Sequence, residues 1–234
     1  MPTAVITGAS RGLGLALARA LAERGWGLVL DARGGEALAA VAQELGRTTP
    51  TAAIPGDIAD PAHRAALVDA AHQLGSLDLL VNNASVLGPS PQPPLRDYPL
   101  DVLAAVFAVN VQAPLALVQR ALPLLEASAG RIINVTSDAA VEGYEGWGGY
   151  GASKAALEQL SRVLAVEHPA LRVYWVDPGD MNTQMHQEAF PGEDISDRPP
   201  PEQSIPGLMA LITGDLPSGR YTTRELAAKE IVES

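Results

Sequence analysis

The chain has 234 residues, of which 47% are apolar and only 4% aromatic, with no cysteine and a formal net charge of −11. That length and apolar content suit one large α/β unit whose core is filled by Ala, Val and Leu. The charge disfavours nucleic acid and anionic membranes as partners, and the lack of cysteine excludes disulfides, thiolate catalysis and zinc–sulfur sites. His63, His72, His168 and His186 show no ligand spacing, so each is expected at the surface and no metal site is expected. No uninterrupted apolar run is expected to reach membrane length, and the first residues lack the layout of a signal peptide, which points to the cytoplasm.

In chain order, strands are predicted at Thr3–Thr7, Gly27–Leu30, Ala52–Pro55, Leu77–Asn82, Arg131–Thr136 and Arg172–Val176, with a late one near Arg220–Thr223. They read as continuous apolar runs, the pattern of strands buried on both faces of a parallel sheet. Helical patterns lie between them at Gly12–Arg24, Gly34–Leu45, Pro61–Leu74, Val102–Ala127 and Gly151–His168. This alternation predicts right-handed crossovers and a Rossmann-like, doubly wound parallel sheet with helices on both faces, in a single unit over residues 1–234.

The rhythm breaks at Gln184–Pro206, a stretch rich in Pro, Asp and Glu. Ligands in such sheets bind beyond the carboxyl ends of the strands, so this segment is read as a lid. Its prolines prevent one continuous helix, although Met181–Ala189 can form a short one. Glu188, Glu193, Asp194 and Asp197 would ring the entrance and select against anionic substrates, with Met181, Met185 and Phe190 as apolar contacts.

Two local patterns carry chemistry. After the first strand comes Thr7-Gly8-Ala9-Ser10-Arg11-Gly12-Leu13-Gly14, and a helix follows at once. Glycines allow a sharp turn and close approach of a ligand, and the helix N-terminus offers free N–H groups to a pyrophosphate. Tyr150 and Lys154 stand four apart on one helical face, thirteen residues after Ser137 at the end of the fifth strand. Asn110 lies in the helix before that strand.

With these residues the chain resembles the short-chain dehydrogenase/reductase family over most of its length. The family's TGxxxGxG motif corresponds to Thr7–Gly14, its adenine-side aspartate to Asp57 with Ile58 beside it, and its NNAG motif to Asn82-Asn83-Ala84-Ser85. The resemblance makes Asn110, Ser137, Tyr150 and Lys154 the catalytic set. It adds Pro178, Gly179 and Thr183 on the nicotinamide side of the cofactor. Gly8, Ser10, Arg11, Gly12, Leu13, Gly14, Asn83 and Ala84 are the remaining expected contacts around the glycine-rich turn.

A free tyrosine, with a pKa of about 10, is a poor base near neutrality. The Lys154 ammonium and the positive ring of an oxidised nicotinamide would both favour its phenolate. Ser137 would fix the substrate oxygen, with Thr136 beside it as a rival assignment. The resemblance further implies that Lys154 holds the cofactor ribose and that Asn110 keeps a water that relays protons. Ser85 in place of the family's glycine and Asp138 directly after Ser137 are departures that bear on geometry and substrate. Trp147, three residues before Tyr150, lines the pocket or packs in an interface.

At the end of the second strand, Leu30-Asp31-Ala32-Arg33 offers both an acid and a base. The NAD-selective acidic position falls on Ala32, Asp31 is one step early, and Arg33 with Arg11 can meet the 2′-phosphate of NADP. The expected activity is therefore NADP(H)-dependent interconversion of a small neutral carbonyl and its alcohol, with NAD as the alternative cofactor. A non-catalytic dinucleotide sensor and a 3-oxoacyl carrier-protein reductase are the competing readings. The intact catalytic set argues against the first, and the acidity of the chain against the second. A homodimer or homotetramer is implied by the resemblance, and Ala104, Ala105 and Ala108 would let two helices approach closely.

Overall fold

The computed structural model describes residues 1–233, with side chains through residue 228. Seven parallel strands form one sheet in the order β3-β2-β1-β4-β5-β6-β7. They are β1 (Thr3–Ile6), β2 (Gly27–Ala32), β3 (Thr51–Pro55), β4 (Leu79–Asn82), β5 (Arg131–Val135), β6 (Arg172–Asp177) and β7 (Gly219–Thr222). The helices between them are α1 (Gly12–Ala22), α2 (Gly35–Leu45), α3 (Pro61–Gln73), α4 (Leu100–Phe107), α5 (Ala113–Ser128) and α6 (Gly148–Glu167). After β6 come α7 (Gln184–Ala189) and α8 (Ile205–Thr213), and after β7 comes α9 (Thr223–Glu233). The predicted doubly wound sheet is therefore present, with every predicted strand in it.

Side chains alternate along each strand and so fill two cores. Ala4, Ile6, Leu28, Leu30, Leu79, Val81, Ile133, Tyr174 and Val176 meet α1, α2 and α8 on one face. Val5, Val29, Leu80, Ile132 and Val173 meet α3 and α5 on the other. Both faces are covered, which explains why the strands read as unbroken apolar runs rather than alternating ones. Two polar side chains cross the second core. Asn82 donates to Asn134 at 2.8 Å, and Asn134 donates to the Ser161 hydroxyl at 2.8 Å, tying β4 and β5 to α6.

The chain order reverses between β1 and β4, because β2 and β3 lie on one side and β5 to β7 on the other. A crevice opens there at the carboxyl ends of the strands, where ligands of such sheets bind.

Two helix boundaries differ from expectation in ways that matter for the site. The predicted continuous helix Val102–Ala127 begins at Leu100 and contains a π-helical turn at Ala108–Gln112. That turn swings Asn110 out of the regular ladder and toward the crevice. Helix α6 begins at Gly148 instead of Gly151, so Tyr150 sits in its first turn. No side chain caps that end. The helix is held by close approach instead, since a Cβ on Gly151 would stand 2.5 Å from the Ala139 carbonyl oxygen.

The stretch Leu100–Ser128 is long and apolar enough by length and composition to cross a membrane, although Asp101, Asn110, Arg120 and Glu126 interrupt its apolar run, as expected. Its buried residues Leu117, Val118, Ala121 and Leu125 belong to the second core, and Asn110 anchors it to neighbouring elements.

Candidate active site

The glycine-rich turn between β1 and α1 is built by the backbone. Gly8 and Gly12 adopt φ of +68° and +57°, a region that costs other residues energy. A Cβ on Gly14 would lie 2.5 Å from the Gly8 oxygen and 2.7 Å from Asn83 Nδ2, so only hydrogen fits. Asn83 Nδ2 donates to the Thr7 and Gly8 carbonyls at 2.8 and 3.1 Å, while the Thr7 hydroxyl accepts from the N–H groups of Asn83 and Ala84. Asn83 thus holds the shape of the turn with its amide. Leu13 is buried in the first core, and Ser10 is half-buried on the turn.

These features fit a dinucleotide pyrophosphate. Helix α1 starts without a side-chain cap, so its first N–H groups remain for an anion. At Gly12 the nearest atom to an added Cβ is Thr183 Cγ2 at 3.6 Å, so the missing side chain leaves a gap between the turn and Thr183. Arg11 and Arg33 are both exposed on this side of the sheet. Arg33 has no ion pair among the described residues, whereas Arg11 donates through Nη1 to Gln184 Oε1. The structure therefore does not bring the two arginines together on one point; it turns Arg11 toward α7. Asp57 is exposed, with Oδ1 accepting from the Ala59 N–H at 2.9 Å, and Ile58 is buried in the second core.

The expectation that all four histidines are superficial fails at His63. Its ring is buried against Gly56, and Nε2 lies 2.6 Å from Asp31 Oδ1. The other Asp31 oxygen accepts from the Gly8 N–H at 3.3 Å. A lone histidine on a helix gave no sequence signal for this, because its partner lies 32 positions away on β2.

At the other side of the crevice, Tyr150 and Lys154 are both buried, with Lys154 Nζ 5.5 Å from the centre of the Tyr150 ring. Nζ donates to the Val135 carbonyl at 2.8 Å, which fixes the side chain under the tyrosine. Burial acts on the two groups in opposite directions. It pushes the Tyr150 phenol well above the ordinary range, with the neighbouring Ser85 hydroxyl opposing it and Asp177 and Asp138 adding to it. It lowers Lys154 to about 8.

Asn110 sits at the centre of a closed set of hydrogen bonds. Its Nδ2 donates to the Val86 carbonyl at 2.9 Å and to Ser153 Oγ at 3.0 Å, and its Oδ1 accepts from the Val86 N–H and the Ser85 hydroxyl. Ser153 in turn donates to the Tyr150 carbonyl at 2.7 Å. Ser85 therefore links Asn110 to the surroundings of Tyr150.

Ser137 stands at the end of β5, half-buried on the crevice side. Its hydroxyl donates to Asp138 Oδ1 at 2.8 Å, and Asp138 Oδ2 accepts from the Tyr144 hydroxyl at 2.9 Å. Thr136, the rival assignment, is buried and donates to Glu158 at 3.0 Å. Beneath this edge, Arg220 of β7 donates to Glu158 at 3.0 Å and to the Ser137 carbonyl at 3.3 Å, and lies 3.5 Å from Asp177. Sequence reasoning did not reach this clamp, since Glu158 and Arg220 are 62 positions apart.

Pro178 and Gly179 follow β6. The Pro178 carbonyl accepts from Ser204 and Thr223, and Gly179, at φ +75°, donates its N–H to Asp177 at 2.9 Å. Thr183 caps α7, accepting from the His186 N–H at 3.3 Å. This helix lies over the crevice. Phe190 at its end packs at a tilt against Trp147 at 5.9 Å, and Trp147 meets Tyr150 edge-on at 5.8 Å. Ala189 joins Trp147 against Leu87 and Tyr150. Met181, expected as a substrate contact, packs on the first core instead.

A family model described as short chain dehydrogenase matches residues 2–194. The chain is 40% identical over 172 residues to a rhamnolipids biosynthesis 3-oxoacyl-(acyl-carrier-protein) reductase of Pseudomonas aeruginosa, a match covering 70% of this chain and 66% of that protein. It is 34% identical over 199 residues to sepiapterin reductase of Mus musculus, covering 79% of this chain and 76% of that one. Among solved structures it resembles a short chain dehydrogenase of Escherichia coli CFT073 complexed with NADPH, with a TM-score of 0.86 at 31% identity over 95% of this chain and 96% of the other.

Proposed function

The chain belongs to the short chain dehydrogenase family, a family of oxidoreductases that use a nicotinamide dinucleotide, and from that premise we propose that it reduces a small neutral carbonyl with NADPH. The observation that carries the reading is Tyr150 stacked over buried Lys154 at the carboxyl edge of the sheet, across the crevice from an uncapped helix N-terminus. When bound, NADPH supplies the hydride that reaches the carbonyl carbon. Tyr150 gives its proton to the carbonyl oxygen, and burial keeps it protonated for that step. Ser137 turns its hydroxyl from Asp138 to the same oxygen and fixes its place. Lys154 holds the ribose, and Asn110 with Ser85 forms the polar wall behind the tyrosine. Ser10, Arg11, Leu13, Asp57, Ile58, Ala84, Pro178 and Thr183 complete the cofactor contacts in this reading.

Three features support NADP over NAD. Ala32 stands at the position where an acid would take the ribose hydroxyls, Asp31 is occupied by His63 and Gly8, and Arg33 is exposed nearby with no ion pair among the described residues. The related Escherichia coli structure holds NADPH. The name of the Pseudomonas aeruginosa relative favours a second reading, reduction of an acyl group on a carrier protein. Such carriers are generally acidic, and a net charge of −11 opposes their approach.

Dissociation constants for NADPH and NADH, measured with the native chain and with Arg33→Ala, test the cofactor, and turnover on a carbonyl panel with Tyr150→Phe tests the chemistry. NADPH is expected to bind more tightly, Arg33→Ala to erode that preference, and Tyr150→Phe to retain the cofactor while losing orders of magnitude in turnover. Ordinary turnover by Tyr150→Phe on a good substrate overturns the mechanism.

A further inference from the structure

The mechanism makes no use of Asp31 and His63, yet they form a closely paired and deeply buried couple. Asp31 is 2% exposed and His63 8%. They face each other across the end of β2 and the first turn of α3. A buried carboxylate without a partner is costly, so the pair has to be accounted for. Asp31 accepts on three sides. Its main-chain oxygen takes the Ala9 N–H at 2.8 Å, Oδ2 takes the Gly8 N–H at 3.3 Å, and Oδ1 lies 2.6 Å from His63 Nε2. A carboxylate only accepts, so Nε2 carries the hydrogen of that contact. Gly56 leaves room for the His63 ring, where any side chain would collide with it.

The place of this acid is what gives it meaning. Asp31 is the penultimate residue of the strand at which the adenosine ribose meets the sheet in the reading above, one residue before Ala32 and two before Arg33. A carboxylate free to turn there would accept from the ribose hydroxyls of NAD and repel a 2′-phosphate. The pleat sets the Asp31 side chain on the face opposite Ala32, and His63 with the Gly8 N–H holds it there, against the root of the glycine-rich turn. We infer that His63 is a cofactor-selecting residue, which preserves the preference for NADP(H) by holding the Asp31 carboxylate away from the ribose pocket. The inference rests on the proposed NADP(H) preference and adds the device that maintains it. Burial raises the Asp31 carboxyl, and the His63 hydrogen bond is the main influence opposing that rise. The histidine is thus what keeps the inward position tenable for an ionised acid.

The test needs no substrate: NADPH and NADH are titrated against native protein, His63→Leu, His63→Asn, Asp31→Asn and the Asp31→Asn/His63→Leu double variant. Leucine fills the ring space without a donor. Asparagine, too short to reach Asp31, serves where leucine does not fold. The NADPH-to-NADH affinity ratio is expected to fall about tenfold in either His63 variant, as one cofactor gains a charge-assisted hydrogen bond and the other a repulsion. Adding Asp31→Asn to His63→Leu is expected to restore most of the native ratio, because the carboxylate has gone.

A brace for the turn with no part in selectivity would instead weaken both cofactors alike and leave the ratio at its native value in every variant; that result overturns the inference. A native preference that survives both His63 variants unchanged also overturns it, while leaving the cofactor reading intact. Native protein that binds NADH as tightly as NADPH overturns the cofactor reading itself, and the premise of the selector with it.

Discussion

Tyr150 and Lys154 share one buried corner, and the same desolvation makes the phenol a weaker acid and the ammonium a stronger one. A protonated Tyr150 suits carbonyl reduction, which needs a proton donor, and hinders alcohol oxidation, which needs the phenolate. With Lys154 lowered to about 8, its ammonium is lost as pH rises past that value, and with it the positive charge beside the tyrosine. The expected kcat/KM for ketone reduction is level at lower pH and falls above about 8, and alcohol oxidation gains nothing from that step, since its phenolate loses the same stabilising charge. A pH series in both directions checks this, and a reduction limb that stays level through pH 9 to 10 would contradict the assignment to Lys154. The same shift has a stability consequence of fixed sign. The unfolded chain binds the lysine proton more tightly than the folded one, so stability rises with pH between about 8 and the ordinary 10.5. The proposed catalytic positions could be singled out in the sequence because Ser137, Tyr150 and Lys154 lie close together at set spacings. Contacts such as Asp31 with His63, or Ser85 with Asn110, join residues 32 and 25 positions apart and exist only once the strands are in order.

Among the elements, the glycine-rich turn shows most directly how local sequence becomes a binding surface. Its strand, turn and helix were legible, since an apolar run ending in three glycines before an alanine-rich stretch admits few alternatives. The π-helical turn at Ala108–Gln112 was not, because the residues on either side continue the helical pattern and only the tethers on Asn110 reveal the bulge. Gly14→Ala is expected to cost roughly 1–3 kcal/mol and most cofactor affinity, because its methyl would press on the Gly8 carbonyl and Asn83, both fixed by hydrogen bonds. Gly34→Ala, where nothing lies within 4 Å of the new methyl, is expected to change stability by no more than about 0.5 kcal/mol. Thermal unfolding and NADPH titration of the two variants compare them, and equal losses would show that the turn tolerates a side chain. The segment from Gln184 to Pro206 closes over this turn, tied down by Arg11 to Gln184 and by the Ser90 hydroxyl to the Glu188 carbonyl. Both ties are exposed, whereas Ile195 and Ser204 are buried and Ser204 donates to the Pro178 carbonyl, so opening is expected to be easiest around Gln184–Glu188. Hydrogen exchange should slow across 184–206 when NADPH and a substrate analogue bind together, and unchanged exchange would remove its role as a lid.

On the scale of the whole molecule, the sheet leaves one pair of helices incompletely covered. Helices α4 and α5 were expected to expose small residues, and Ala104 and Ala105 are exposed while Ala108 is half-buried. Beside them, Leu100 is 78% exposed, and Val163 and Val166 on α6 are 42% and 80% exposed. Where α5 meets α6, Leu115 and Leu160 are half-buried beside the buried Pro114, Val118, Leu157 and Leu164. A stable interface buries about 1,600 Å² in total, and two neighbouring helices of this length supply a surface of that order when matched by a second copy. Small residues on α4 and α5 let the helices of two copies approach closely, and the valines of α6 would fill the space between them. The apolar character of Leu100–Ser128 would then be used on two sides, the buried part against the core and the remainder against a second copy. This favours a dimer built on α4 to α6, which would also steady α6 and the Tyr150–Lys154 pair on it. Light scattering at micromolar concentration is expected to report a dimer or tetramer for the native chain. Ala105→Arg combined with Val166→Arg should yield a smaller species, because four charges would be buried without partners around each two-fold axis. The double variant should keep its fold by circular dichroism, as both positions are exposed in the single chain. A native protein that is monomeric, or an assembly untouched by both arginines, would place the interface elsewhere.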